Sequence, residues 1–435
     1  METAGDHSDT TLKRKREETD AKESSEKSKL PKLETPGSPS SSAQPPPPAN
    51  PPITSGEEVD LSALLDFTNA NTTSEISARF DLLGAALLHD YRIVATCGKR
   101  KSEYEILELE FCLIKPGCHE DPFTHGSDEQ RRSGRWYFHR APTRSNDSTQ
   151  APTAAGAWRT GTRKGMDLTF GNPVGFDDTS LPRNAVTRGG VLLRSIRRVS
   201  DNKVTSGPSL LVDEILRATG AADIPDLVNK KWKRDISALP PTSGDAPTRD
   251  TTLYLRRKEL ASTSGSSQRG LHAFFGGKAP TTSNEKPQVY RSPRIGLDLS
   301  HPTIPQDLQR ALSHPRLNYI VRRYRFITRP NLLTAKGQGH TFLGVYQSIV
   351  DGGVKESDEK RLAQELAKAT DFKHPTVVKY LAEYKEGLEK GALRPFLGSA
   401  GKGATSSPAS FLKLMGTLRR LQTAPLTEST GEEGE

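Results

Sequence analysis

The sequence has few cysteines, few aromatic residues and no long apolar run. Its three cysteines, Cys97, Cys112 and Cys118, form neither a disulfide framework nor a CxxC metal motif, so a reducing compartment is the default expectation. No apolar run approaches the roughly 20 residues of a spanning helix, and we therefore expect no membrane partner. Hydrophobic residues make up only 33% of the 435 positions and aromatic residues 6%. Much of the chain is therefore not packed core.

Positive charge and proline are abundant instead. Lys and Arg number 62 against 53 Asp and Glu, a formal charge of +9 that favours nucleic acid as a partner. A soluble basic protein without such a partner is the alternative. The N-terminal cluster Lys13, Arg14, Lys15 and Arg16 fits a nuclear import signal, so we expect a nuclear location. The alternative for this cluster is a solvated disordered arm.

Composition separates the chain into two tails, a main domain and a small helical module. The tails are rich in Ser, Pro, Lys and Glu and cannot bury enough apolar surface to order themselves. The predicted parts are a disordered basic arm over 1–57, a main domain over 58–347 with insertions at about 140–158 and 238–286, a helical module over 355–395 and a disordered tail over 396–435.

Helix-like and strand-like patterns alternate within the main domain, which predicts an α+β fold. ISARFDLLGAALLH has helical spacing, and IVATC and YEILELEFCLI after it alternate as half-buried strands do. GPSLLVDEILRATG predicts another helix, which ends at Gly220. PRIGLDLS and NYIVRRYRFIT are both strand-like.

The helical module is carried by AQELAKATDFKHPTVVKYLAEYKEGLEKG. One helix is expected to end near Ala369, and Pro375 is placed to open a second. The pattern resembles a helix-turn-helix, although Asp371 stands where that family usually has the turn glycine. A plain helical hairpin packed on the main domain is the alternative. Farther on, SFLKLMGTLRRLQ would place Phe411 and Leu418 on one face of a short basic helix.

The densest polar group lies in ELEFCLIKPGCHEDPFTHG. Glu108 and Glu110 stand two apart in a strand pattern, so both side chains point to one face. Two acids on one face must be solvated, paired or catalytic, because desolvating a carboxylate is costly. With Asp121 and His125 following, three interpretations stay open: a solvated strand edge, a general-base site, and a metal site without a recognised ligand spacing.

Nine blocks in the same order resemble the alkyladenine (3-methyladenine) DNA glycosylase family. They are ISARFDLLGAALLH, ILELEFCL, DPFTHG, GRWYFH, GTRKGMDLTFG, GGVLLRSI, SGPSLLVDEIL, SPRIGLDLS and RRYRFI, and they span roughly residues 76 to 328. The resemblance implies a curved antiparallel sheet with flanking helices. It also implies an enzyme that flips a damaged purine out of double-stranded DNA and hydrolyses its N-glycosidic bond without a metal. We expect a monomer that needs no cofactor.

The resemblance assigns roles residue by residue. The general base that activates water lies on Glu110, with Glu108 beside it in the base pocket. The loop histidine that contacts the flipped base lies on His125, and His139 falls where the family has a stacking tyrosine. The buried arginine of the VLLRA strand lies on Arg194. Cations for the DNA phosphates are expected at Arg159, Arg163, Lys164, Arg194, Arg197 and Arg198.

The base pocket departs from the family pattern. The aromatic residue that follows the catalytic glutamate by two is Cys112 here, and the tyrosine that wedges into the duplex falls at Lys164. Each lost stacking contact removes about 1 to 3 kcal/mol of base binding. The alternatives are thus a non-catalytic DNA-binding protein of the same fold and a metal-dependent nuclease. Four aromatic residues would either rebuild a stacking wall or belong to the core: Trp136, Tyr137, Phe138 and Phe170.

The stretch QRGLHAFFGG, inside the second insertion, matches the QxxLxxFF pattern of peptides that dock on the replication sliding clamp (PCNA). Its anchors are Gln268, Leu271, Phe274 and Phe275. In such peptides the aliphatic and aromatic side chains enter one apolar pocket, and the glutamine binds a polar site beside it. A hydrophobic flap folded onto the main domain is the alternative. The sequence thus predicts a base-excision enzyme whose partners are double-stranded DNA and the clamp.

Overall fold

An antiparallel sheet of ten strands organises the molecule. The structure, a computed structural model, describes residues 60–141, 156–176, 185–240, 250–259, 286–334 and 336–423. The strands are β1 Tyr91–Cys97, β2 Arg100–Lys115, β3 His119–Glu120, β4 Trp136–Phe138, β5 Met166–Phe170, β6 Arg188–Arg198, β7 Val204–Ser206, β8 Thr251–Arg257, β9 Tyr290–Ser292 and β10 Arg325–Ile327. The main path runs β4-β5-β6-β2-β1-β8 and does not close; β3 and β10 pair with β2, β7 with β6, and β9 with β10.

Helices flank this sheet, so the predicted α+β class with an antiparallel sheet is confirmed. They are α1 Leu61–Leu65, α2 Thr73–Ala85, α3 Pro208–Thr219, α4 Leu308–Leu312, α5 Pro315–Ile320, α6 Gln338–Asp351, α7 Glu359–Thr370, α8 His374–Lys390 and α9 Pro408–Thr423. Helix α2 begins at a capping box between Thr72 and Glu75. Helix α3 begins at Pro208 and ends at Gly220, whose φ of 62° suits a residue without a Cβ. Among the described residues, no helix has the length and apolarity needed to cross a bilayer.

Strand β2 contains two compensating irregularities that decide where its side chains point. Its register with β6 shifts between Ile106 and Glu108 and again between Glu108 and Leu109. An extra residue in a strand reverses the alternation of faces, so Ile106 before the shift and Leu109 after it both enter the main core. Glu108 and Glu110 therefore share the opposite face, as the sequence predicts.

The helices α6 to α9 build a second hydrophobic cluster. Helices α8 and α9 pack backbone against backbone at Gly416. A Cβ at this position would overlap the carbonyl oxygen of Tyr384, so only glycine allows the contact. Phe411 and Leu418 of α9 are fully buried. The prediction of disorder from residue 396 onward is therefore wrong for α9, whose apolar face makes the contacts that a disordered tail lacks.

Two further expectations need correction. The insertion at 238–286 contains β8, which pairs with β1 along its whole length and so belongs to the sheet. The strand-like stretch NYIVRRYRFIT divides into helix α5 and strand β10, because Pro315 opens a helix that His314 caps. PRIGLDLS forms no strand; Leu299 alone makes an isolated bridge, to Leu397.

Helices α7 and α8 lie where the sequence places the helical module. At their junction Asp371 adopts a left-handed backbone conformation with φ 60°. Glycine is the usual residue in this conformation. Val377 and Leu381 of α8 point into the second cluster. The choice between a helix-turn-helix and a plain hairpin, and the domain limits, stay predictions.

Candidate active site

A cleft of about 350 Å³ collects most of the predicted site residues. Glu110, His125, His139, Arg163 and Lys164 all line it, although they come from four separate parts of the chain. The other lining residues are Phe111, Cys112, Phe123, Arg159, Thr162, Asp167, Leu192, Pro208, Arg294, Ile295, Gly296 and Leu297.

Glu110 presents to this cleft a carboxylate that is held on both oxygens. Its Oε2 accepts a hydrogen bond from Nη1 of Arg194 at 3.2 Å, and its Oε1 accepts one from the backbone N–H of Ile295 at 2.8 Å. The residue is only 5% exposed. Two fixed donors therefore keep the carboxylate in one orientation at the cleft wall.

Glu108 lies beneath the cleft and does not line it. Its Oε1 accepts hydrogen bonds from Nε of Arg325 at 2.7 Å and from Nε of Arg194 at 3.0 Å, and Oγ of Ser195 donates to its Oε2. Burial alone would raise the pKa of Glu108, but the two guanidinium groups and the hydroxyl outweigh burial and lower that pKa to about 2. Glu108 therefore lies outside the cleft lining, and its assignment to the base pocket stays a prediction.

Arg194 is buried, as the resemblance implies, and its guanidinium contacts two glutamates. It is 6% exposed and bridges Glu108 and Glu110. Burial would lower the pKa of Arg194, whereas the two glutamates raise it, and the net shift is upward. Arg194 therefore positions Glu110 from below, and its assignment as a DNA-binding residue stays a prediction.

Two histidines and an aspartate form a second polar group in the cleft. His139 Nε2 lies 2.7 Å from Oδ1 of Asp167, and Oδ2 of Asp167 accepts a hydrogen bond from Gln130 at 3.3 Å. The ring centroids of His125 and His139 are 4.5 Å apart. Partial loss of hydration and the neighbouring His139 lower the pKa of His125 to about 4, so His125 is neutral at physiological pH. Asp167 therefore fixes the orientation of one imidazole beside a second, uncharged one.

The predicted phosphate-binding cations differ in availability. Arg163 is exposed and makes no ion pair with any residue in the described ranges. Lys164 is engaged by Asp213. Arg197 donates to Glu105 from Nε at 3.1 Å and does not line the cleft. Arg163 is thus the cation of the cleft best placed for an anionic ligand.

Sequence reasoning missed an ion pair behind the cleft wall. Nη1 and Nη2 of Arg294 donate to the two carboxylate oxygens of Asp121 at 2.7 and 3.0 Å, and both residues are buried. The guanidinium carbon of Arg294 lies 5.6 Å from the ring centroid of Phe123, which lines the cleft. The sequence signal for Phe123 as a cleft residue was its position in DPFTHG, two residues before His125. For Asp167 the signal was an acid inside the otherwise apolar strand MDLTF.

This pairing bears on the nuclease alternative. That alternative places a metal among Glu108, Glu110, Asp121 and His125. The carboxylates of Asp121 and Glu108 are, however, held by buried arginines. Within the ranges that the structure describes, no group of three or more His, Cys, Asp or Glu side chains could hold a metal ion. The arrangement of donors therefore gives a metal-dependent nuclease no support.

None of the four candidate stacking residues lines the cleft. Trp136, Tyr137, Phe138 and Phe170 are each no more than 3% exposed, so all four belong to the interior. At the family's stacking position, Cys112 lines the cleft and its thiol donates to the carbonyl of Gly190 at 3.3 Å. Burial raises the pKa of that thiol, so it is uncharged.

The predicted clamp anchors Gln268, Leu271, Phe274 and Phe275 lie outside the described residues, as does the import cluster at residues 13–16.

The chain is similar to a viral protein. An uncharacterised protein of Acanthamoeba polyphaga mimivirus is 31% identical to this chain over 117 residues. The match covers 26% of this chain and 48% of the viral protein, so it spans about half of that relative's length. No protein-family model matches the chain.

Proposed function

We propose that this protein is a DNA-repair enzyme that hydrolyses the N-glycosidic bond of a damaged purine flipped out of duplex DNA. The observation that carries the proposal is Glu110, a carboxylate with both oxygens fixed at the wall of a cleft that also contains two histidines and an exposed arginine. A cleft of about 350 Å³ falls within the range of small-molecule sites and can hold one purine base.

Glu110 supplies what the reaction requires on the sugar side. As the bond between C1′ and the base nitrogen breaks, its electron pair passes to the base and positive charge builds on the sugar. The carboxylate stabilises that charge and accepts a proton from the water whose oxygen bonds to C1′. Arg194 and the N–H of Ile295 already hold Glu110 in place, so little reorganisation accompanies the step.

His139 is the residue that we assign to the base side. A departing base that carries no positive charge needs a proton on the nitrogen that receives the bond electrons, and an imidazole oriented by a carboxylate is suited to donate it. Asp167 provides that orientation through its contact with Nε2 of His139. A cationic alkylated purine leaves as a neutral molecule and needs no such proton.

One experiment separates this function from its alternatives. The full chain is incubated, with and without chelator, on duplexes that contain an alkylated, deaminated or oxidised purine, and abasic sites are counted. We expect metal-independent abasic product that falls by about 10² to 10⁴ in Glu110→Gln. Glu120→Gln, an exposed glutamate on the neighbouring strand β3, is the matched control and should keep full activity.

Each of the other outcomes would assign a different function to the protein. Strand cutting that chelator abolishes would identify a nuclease. Binding of damaged and undamaged duplex with equal affinity and no product would identify a non-catalytic DNA-binding protein. Cys112 favours this last candidate, because the cleft has a thiol where the family stacks an aromatic ring on the base.

We also propose that the enzyme works in the nucleus, tethered to the sliding clamp. The support is the sequence pattern of Gln268, Leu271, Phe274 and Phe275 within a Ser- and Gly-rich segment, together with the basic N-terminal cluster. A peptide of residues 264–280 should bind the clamp in a calorimetric titration. Equal binding by the Phe274→Ala, Phe275→Ala peptide would remove the proposal, whatever the outcome of the glycosylase assay.

A further inference from the structure

A second cationic surface lies on the sheet, apart from the cleft. We call it the basic face. Its cations come from strands β1, β2, β6 and β8 and from the segments that follow β8 and β10. It comprises Arg92, Lys101, Arg197, Arg256, Lys258 and Arg329, together with Glu103 and Glu105.

The strand register builds this face. Arg256 on β8 stands directly opposite Arg92 on β1. Across the next pair of strands, Arg92 stands opposite Glu105 on β2. Glu105 in turn stands opposite Arg197 on β6. Neighbouring strands lie about 4.8 Å apart, so the row from Arg256 to Arg197 spans about 14 Å. Over that length the backbone of duplex DNA presents several phosphates.

The carboxylates of the basic face do not balance its cations. Glu103 is shared by Arg92, Lys101 and Arg256, and Glu105 by Arg92, Arg197 and Arg329. Lys258 adds a sixth positive charge, which interacts with Glu105 and with Asp90 beside the face. Six cations against the three acids Glu103, Glu105 and Asp90 leave an excess of three positive charges.

The positive groups are also the outer ones. The side chains of Glu103 and Glu105 are 18% and 16% exposed, whereas those of Lys101, Arg256 and Arg329 are 44%, 38% and 35% exposed. The two acids are therefore the more buried partners, and Lys101, Arg256 and Arg329 are the more exposed ones. Such an arrangement preorders donors for an anionic ligand that spans several sites.

The basic face destabilises the folded protein when no anion is bound to it. Like charges directly opposite each other across two strands are destabilising, and Arg92 and Arg256 form such a pair. Burial lowers the pKa of Lys258, and the nearby Arg92 and Arg329 lower it further, although Glu105 and Asp90 oppose them. A polyanion would remove this repulsion.

We propose that the basic face binds the phosphate backbone of duplex DNA. Strand β2 runs from this face to the cleft, and the five steps from Glu105 to Glu110 cover about 17 Å, or the rise of about five base pairs. The face and the cleft are therefore separated by less than one turn of duplex DNA. Binding at the face does not depend on the chemistry of Glu110, so it stands whether or not the cleft is catalytic.

The test removes the three most exposed cations and leaves each acid with an arginine. The variant Lys101→Gln, Arg256→Gln, Arg329→Gln keeps Arg92 on Glu103 and Arg197 on Glu105. The affinity of the full chain for an undamaged duplex of about 25 base pairs is measured by fluorescence anisotropy across about 50 to 200 mM salt. We expect the slope of log K against log salt to fall by about 2 to 3, and the Kd near 0.1 M salt to rise at least about tenfold.

A matched control loses the same charge elsewhere. Lys230, Lys233 and Lys402, which are exposed and lie outside both the basic face and the helical module, are replaced together by Gln, and we expect their loss to change the Kd by less than about twofold. Equal losses in the two variants, or unchanged binding in the first, would overturn the proposal.

A second variant covers the case in which the triple substitution unfolds the protein. Lys101→Gln with Arg329→Gln leaves three arginines on the face, and thermal unfolding checks that it folds as the wild type does. The slope should then fall by about 2. An unchanged slope in this folded variant would refute the assignment.

Discussion

The buried carboxylate of Glu108 should make the stability of this protein depend on pH in a defined window. Its pKa falls from 4.5 in a model peptide to about 2 in the folded chain, because Arg325 and Arg194 outweigh the effect of burial. A shift of this size corresponds to about 3 kcal/mol of folding free energy. Since the folded pKa is the lower one, this contribution is complete above about pH 5 and is lost as the pH falls toward 2.

Replacement of Glu108 by Gln should remove this dependence and also destabilise the protein at neutral pH. Arg325 is 1% exposed and would keep its charge without its carboxylate partner, a loss of about 3 to 5 kcal/mol. Urea unfolding followed by tryptophan fluorescence at pH 7, 5, 4 and 3 measures both effects. Other paired acids also titrate in this range, so the quantity of interest is the difference between wild type and variant at each pH.

Glu365→Gln, on the exposed side of α7, is the control and should leave both the stability and its pH dependence unchanged. The reasoning would be refuted by a Glu108→Gln variant whose free energy of unfolding stays within about 1 kcal/mol of wild type at pH 7. It would also be refuted by a wild type and a variant that lose stability in parallel between pH 5 and pH 3.

Three further predictions concern the cleft and the second cluster. His139→Gln should slow excision of an uncharged lesion by about 10² or more and leave excision of a cationic one nearly unchanged, as single-turnover rates on both duplexes would show. Asp121→Asn should lower the free energy of unfolding by about 3 to 5 kcal/mol, measured in urea, because Arg294 stays buried without its carboxylate. Gly416→Ala should lower the melting temperature markedly, because its Cβ would overlap the backbone of α8 and separate two closely packed helices.

The sequence predicts local structure well where one segment carries the whole signal. The helical spacing before β1, the alternation through β2 and the helix that ends at Gly220 all follow from neighbouring residues. It fails where a distant segment decides the outcome. The alternation that places Glu108 and Glu110 on one face cannot reveal that Arg325, 217 positions away, buries the first of them. Likewise, α9 is ordered because Gly416 lets its backbone pack directly on α8. Amino-acid composition does not reveal that contact.

The different environments of Glu108 and Glu110 follow from a single feature of the sheet. The register shifts opposite Ser195 give β6 an extra residue, Arg194, whose guanidinium reaches both acids. Glu108 also receives Arg325 and the hydroxyl of Ser195, whereas Glu110 receives only the N–H of Ile295 besides Arg194. Three donors therefore hold the Glu108 carboxylate, whereas Glu110 accepts from two and lines the cleft. This asymmetry supports the proposal that Glu110 is the general base and that Glu108 positions Arg194.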